Sequence, residues 1–139
     1  MKLLALTLAG MLLLGNAPVN YSEKDLDCIT RIVYNESNGQ PDKGRQAVAL
    51  VVINRSKKSE ESFCETAHKP GQFDRRAFTR TIPVNKYNET RDTILPVIIG
   101  DIIDFTRGAI SFHNIHVTPH WPSLVRVFTI GQQVFYRSR

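Results

Sequence analysis

The chain has 139 residues, 42% of them hydrophobic and 22% charged, which are the proportions of one soluble globular domain with a single core. Its net charge of +5 suits an anionic polymer as partner: cell-wall phosphates, nucleic acid or a membrane surface. The basic residues, from Arg31 to Arg139, are scattered along the chain and not gathered on one element with interleaved aromatics, which argues against a nucleic-acid reader. No internal repeat or low-complexity tract interrupts this pattern.

The N-terminus has the composition of an export signal. Lys2 is followed by an apolar run from Leu3 to Leu14, too short for a comfortable membrane span, and then by Gly15, Asn16 and Ala17. Pro18 would follow the cut, a position that signal peptidases tolerate poorly. Residues 1–20 are therefore read as a signal peptide or as a short membrane tether through residues 3–14, ahead of a domain over 21–139. Either way the chain is expected in the periplasm or cell envelope. In such a compartment two cysteines, Cys28 and Cys64, favour one bridge over two buried thiols.

The segment from Tyr21 to Asn35 reads as an amphipathic helix, with Ser22 placed to cap it and Asp25 in the first turn. At about 100° per residue, Leu26, Ile29, Ile32 and Val33 fall in one arc, and Glu36 falls in the middle of it. A carboxylate on a buried stripe is costly unless it is paired, hydrogen-bonded or kept protonated. Ser37-Asn38-Gly39-Gln40-Pro41 then breaks the helix, so Glu36 is expected at its end, facing a cleft. A half-buried acid with a raised pKa is what general acid catalysis requires at neutral pH. The plainer alternative is a glutamate that reaches solvent from a frayed helix end.

A second helix opens after Pro41, with Ala47, Val48, Val51, Val52 and Arg55 at helical spacing up to about Ser56. Ala47 and Ala49 would let it pack closely on the first. Lys57 to Ser62 reads as a solvated loop, Pro70-Gly71 as a turn, and Arg75 to Asn88 as irregular surface chain. A third helix is expected between Glu89 and Thr106, kinked or restarted at Pro96, buried through Ile98, Ile99, Ile102, Ile103 and Phe105, and stopped by Gly108. Ala109 to His113 reads as extended. Leu124 to Tyr136 alternates around Gly131-Gln132 as a hairpin. Helices first and a small antiparallel element last describe an α+β domain.

Four segments carry a resemblance. They are Tyr34–Pro41 leading into Gly44–Ala49 and Val52–Arg55; Lys69-Pro70-Gly71-Gln72-Phe73; Phe112-His113-Asn114; and Thr129 to Tyr136. In order and spacing they resemble the spore-cortex-lytic cell wall hydrolase family, whose members cleave peptidoglycan glycan strands and have a lysozyme-like α+β fold. The resemblance covers nearly all of the chain after Asn20. It implies that Glu36 is the catalytic acid and that Gln72, Phe73 and Asn114 line the glycan cleft. His113 stands where the family usually carries a tyrosine and is a further candidate to hold the glycan. It further implies lytic transglycosylation, in which the muramyl residue's own hydroxyl closes on its anomeric carbon and one glutamate serves as acid, then base.

The residues themselves fit a single acid, since no second carboxylate has an obvious claim. Asp74 is the nearest candidate, against the simpler role of a turn aspartate capping local backbone. Trp121, the sole tryptophan, is either a sugar-stacking platform or a plug at the core's edge. The expected protein is a monomer that acts on peptidoglycan at the N-acetylmuramic acid to N-acetylglucosamine linkage, without metal or cofactor. Two rivals stand beside it. One is a zinc-dependent wall peptidase or amidase using His113, His116 and His120, with His68 upstream, although no His-Glu-x-x-His pattern occurs. The other is a non-catalytic wall-binding module.

Overall fold

In the computed structural model, which describes residues 19–139, the first helix begins where its cap predicts. The expectations for residues 1–18, a signal peptide or a tether through residues 3–14, lie outside the described residues. Helix α1 spans Glu23–Ser37. Ser22 Oγ accepts from the Asp25 N–H at 3.1 Å, and the Asp25 carboxylate accepts from the Ser22 N–H at 3.1 Å, a reciprocal cap that satisfies two otherwise unpaired donors. Leu26, Ile29, Ile32 and Val33 are buried together, as the arc requires. Gly39 follows with φ +85°, a left-handed turn residue that ends the helix without a Cβ clash.

Helix α2, Asp42–Ser59, is the core of the molecule. Every residue from Ala47 to Ile53 is buried, so this helix is covered on all sides rather than along one stripe. It packs against α1, the short helix α3 (Phe63–His68) and the long helix α5 (Val84–Ile98). Its end corrects the expectation of a loop from Lys57. The two lysines sit in the last helical turn, where cations favour the helix terminus, and Glu60 closes it at φ +54°. Helix α3 was not anticipated. Ser62 and Glu65 form a second reciprocal cap at 3.1 Å in each direction, and Phe63 and Ala67 are buried beneath it.

The stretch read as irregular surface chain holds two helices. They are the single turn α4, Arg76–Thr79, and the first third of α5. The third helix therefore starts earlier and ends sooner than expected. Pro83 precedes its first residue, and Pro96 lies in its last turn, where a missing N–H and the ring's clash with the carbonyl four residues back oppose continuation. Gly100, at φ +88°, turns the chain away. The expected burial of Ile99 and Ile103 fails accordingly; they are 43% and 64% exposed.

Three antiparallel strands finish the chain: β1 (Ser111–Asn114), β2 (Leu124–Ile130) and β3 (Gln133–Ser138), in the order β1-β3-β2. The hairpin turns at Gly131, as the alternation implied, and β1 joins it as a third strand. Because directly opposed residues share a face, the register sorts the side chains. Phe112 opposite Phe135, Phe128 opposite Phe135 and Ile130 opposite Gln133 face the helices. Ser111, His113, Thr129, Val134 and Tyr136 face the other way. A bulge between Arg126 and Phe128 keeps Phe128 on the core side. The domain is α+β.

A disulfide joins Cys28 of α1 to Cys64 of α3, with Cα atoms 5.3 Å apart. It ties the helix that carries Glu36 to the element following α2.

Candidate active site

Glu36 lies in the last turn of α1, half-buried, beside the rim of the sheet. Its main-chain carbonyl, one of the helix-end acceptors without an intrahelical partner, accepts from Gln133 Nε2 at 2.9 Å. Burial pushes its carboxyl pKa above the ordinary 4.5. The Asp74 main-chain N–H and the Asn35 side chain oppose that shift by hydrogen bonding to the anion, as does the positive charge of Arg55. The Asp74 carboxylate adds to it by like-charge repulsion. The net effect is a carboxyl kept protonated to higher pH than a surface glutamate.

Arg55, on α2, is the hub of the surrounding wall. Its guanidinium lies 4.8 Å from the centre of the Phe73 ring and donates to the Gln72 side-chain oxygen at 3.2 Å. Its Nε donates to the main-chain carbonyl of Ile110, just before β1. One planar cation thus fixes the loop that carries Gln72 and Phe73 to the strand that carries Asn114. Burial lowers its own pKa, and the nearby Glu36 charge offsets part of that.

Asp74 is engaged locally. Its carboxylate accepts from Arg76 through the main-chain N–H at 2.9 Å, Nε at 3.0 Å and Nη2 at 2.7 Å, and is held down at about 2. A carboxylate so placed stays ionised at any working pH.

Asn114 stands opposite Gln133 in the register and so shares its face of the sheet with the Gln133–Glu36 contact. Its side-chain oxygen accepts from the His116 N–H at 2.9 Å, which turns the chain out of β1. His113 and Trp121 are elsewhere. They pack with Tyr136 on the far face of the sheet, with ring centres 5.2 to 5.5 Å apart. His113 Nε2 lies 2.9 Å from the Tyr136 hydroxyl and its Nδ1 2.7 Å from the Asn114 carbonyl. The structure therefore gathers Glu36, Gln72, Phe73 and Asn114, and sets His113 and Trp121 on the opposite surface. His68 stacks on Phe78 at 4.1 Å, remote in the fold from His113, and His116 and His120 are exposed. Among the described residues no three His, Cys, Asp or Glu side chains converge as a metal site.

Two contributors received no role from the sequence. Arg55 and Gln133 lie within the segments that carry the resemblance, but what they hold is set by partners 55 and 97 residues away.

A model of the cell wall hydrolase family matches residues 39–136. The chain belongs to that family. A spore cortex-lytic enzyme of Bacillus cereus is 33% identical over 101 residues, which cover 71% of this chain and 38% of that relative. The namesake from Oceanobacillus iheyensis is 33% identical over 89 residues, covering 61% and 31%. This cell wall hydrolase domain thus spans well under half the length of the curated relatives it matches. Two solved structures superpose with a TM-score of 0.71 over 87% of the chain. One is the catalytic domain of the Bacillus cereus SleB protein, 24% identical and covered over 95% of its length. The other is the catalytic domain of a germination-specific lytic transglycosylase, SleB, from Bacillus anthracis, 25% identical and covered completely, at 100%. The family resemblance and the α+β fold read from the sequence are both borne out.

Proposed function

We propose that this family member is an exported enzyme that cleaves the N-acetylmuramic acid to N-acetylglucosamine bond of peptidoglycan by lytic transglycosylation, with Glu36 as its one catalytic carboxyl. The observation that carries the reading is the contrast between the two acids. Burial raises the pKa of Glu36, while the nearby Asp74 is committed to Arg76 and held at about 2. Such a pair supplies one proton donor, not two. The family membership and the likeness to a lytic transglycosylase's catalytic domain support the same reaction class.

In this reaction Glu36 gives its proton to the glycosidic oxygen as the bond to the muramyl anomeric carbon breaks. The muramyl 6-hydroxyl attacks that carbon, favoured over water by its high effective concentration. The Glu36 carboxylate takes the hydroxyl proton, so the acid returns to its starting state. Arg55 faces the anion that exists between the two transfers. Gln72, Phe73 and Asn114 hold the glycan on the Glu36 side. In this reading His113 and Trp121 reach sugar only where a longer strand wraps onto the outer face of the sheet.

Mass spectrometry of digested peptidoglycan tests the proposal. Products ending in 1,6-anhydro-N-acetylmuramic acid, lighter by one water than a hydrolysed end, are expected. Ends that all reduce with borohydride would mean hydrolysis instead. Intact glycan would leave the non-catalytic wall-binding reading.

A further inference from the structure

A concavity adjoins the site at Arg55 and Gln72. It is a cavity of about 350 Å³ lined by Arg55, Lys58, Lys69 and Gln72, with Thr66 and Ser111. Among the described residues no carboxylate lines it. Lys58 donates to the Ser138 hydroxyl at 3.2 Å, and among the described residues no carboxylate pairs with it. Lys69 is paired with Glu61 at 2.9 Å but remains substantially exposed. The cavity and the acid share a wall: Gly71 and Gln72 face the cavity, and two residues on, the Asp74 N–H faces Glu36. Arg55 belongs to both.

We propose that this cavity is a carboxylate subsite for the stem peptide carried by the muramyl residue next to the cleaved bond. The inference rests on the glycosidase reading above and names a further part of its substrate. The stem peptide begins at the lactyl ether of the very sugar whose anomeric carbon reacts, so its carboxylates must leave the cleft beside the acid. A concave wall with three cations matches that anionic chain, and charge-assisted hydrogen bonds would fix it. The subsite makes peptide-bearing glycan a better substrate than bare glycan.

The test compares two matched glycan preparations, one with stem peptides and one stripped of them by an amidase, which leaves a single lactyl carboxylate in place of the peptide's own. Wild-type enzyme, the double variant Lys58→Ala/Lys69→Ala and the charge-preserving Lys58→Arg/Lys69→Arg are assayed on both. At low salt the alanine variant should raise KM on peptide-bearing strands about three- to tenfold, the range for two exposed charge pairs. Its turnover of stripped strands should equal wild type, which also shows that it is folded. The arginine variant should restore the KM, and added salt should shrink the difference. An unchanged KM on peptide-bearing strands, or an equal loss on both substrates, overturns the subsite. Wild-type enzyme that cleaves neither preparation overturns the glycosidase reading and the subsite with it.

Discussion

Gln133 donates its side-chain amide to the main-chain carbonyl of Glu36 at 2.9 Å, so the first residue of β3 holds the end of α1. The contact crosses 97 residues of sequence and joins the helical part of the molecule to the sheet at the proposed acid. Gln133 is buried, yet among the described residues its side-chain oxygen has no partner. A buried amide with one half unpaired adds little stability, because the unmade bond offsets the made one. Its evident role is to fix a position.

Replacing Gln133 by Met should therefore separate activity from stability. The substitution removes the donor and the unpaired oxygen together, so unfolding free energy should move by no more than about 1 kcal/mol. Turnover on glycan should fall by about ten- to a hundredfold, the cost of a displaced acid. Urea denaturation and kcat, measured on one preparation, decide it. A normal kcat would mean that α1 holds Glu36 unaided.

Glu36→Gln should cost at least about a hundredfold in turnover, since general acid catalysis contributes roughly 10²- to 10⁴-fold. The same change should stabilise the fold in a pH-dependent way. The native pKa of Glu36 is raised, so between the ordinary 4.5 and the raised value the folded state binds more protons than the unfolded state. Stability must then fall as pH rises through that window. Glutamine has no charge to desolvate. Its melting temperature should thus match wild type near pH 3.5 and exceed it near pH 7. Equal differences at both pH values would contradict a raised Glu36 pKa.

What the sequence conveyed about this site was its periodic part. Ser22 and four apolar residues in one arc were enough to place Glu36 at a buried helix end, and alternation around Gly131 was enough for the hairpin. The long polar start of α5 was illegible, because only Thr90, Ile94, Val97 and Ile98 are buried on it and Asn85, Lys86 and Asn88 carry no apolar signal. Helix α3 was legible in principle, through Ser62 and Glu65, but six residues provide too little periodicity to register. His113 and Asn114 are sequence neighbours, yet in a strand consecutive side chains point to opposite faces. Which of the two would share a surface with Glu36 depended on pairing with Gln133, which no local pattern specifies.

The Cys28–Cys64 bridge should carry a large share of the stability of so small a domain. It closes a loop of 36 residues in sequence separation, for which chain entropy gives about 4 kcal/mol. Cys28→Ser/Cys64→Ser should lower the denaturation midpoint accordingly and match reduced wild type. Protein purified without reductant should gain two alkylation sites only after reductant is added. Two thiols that alkylate without reductant would contradict the bridge.

Asp74 offers the sharpest separation of mechanisms. Its carboxylate is tied to Arg76 and ionised, and its charge repels that of Glu36 while its main-chain N–H stabilises it. Asp74→Asn removes the repulsion and leaves the N–H in place, so the pKa of Glu36 should fall. The acid must be protonated to start the reaction, and the alkaline limb of the pH–rate profile follows that pKa. In the variant this limb should move to lower pH. Turnover near neutrality should drop modestly, while turnover on the acidic side should stay close to wild type. A second catalytic carboxylate would behave otherwise. If Asp74 activated water, Asp74→Asn should lose about 10²- to 10⁴-fold at every pH, as Glu36→Gln does. The wild-type products would then carry reducing ends. A shifted limb with anhydro products leaves Glu36 as the only carboxyl in the chemistry, and a uniform loss with reducing ends assigns the second role to Asp74.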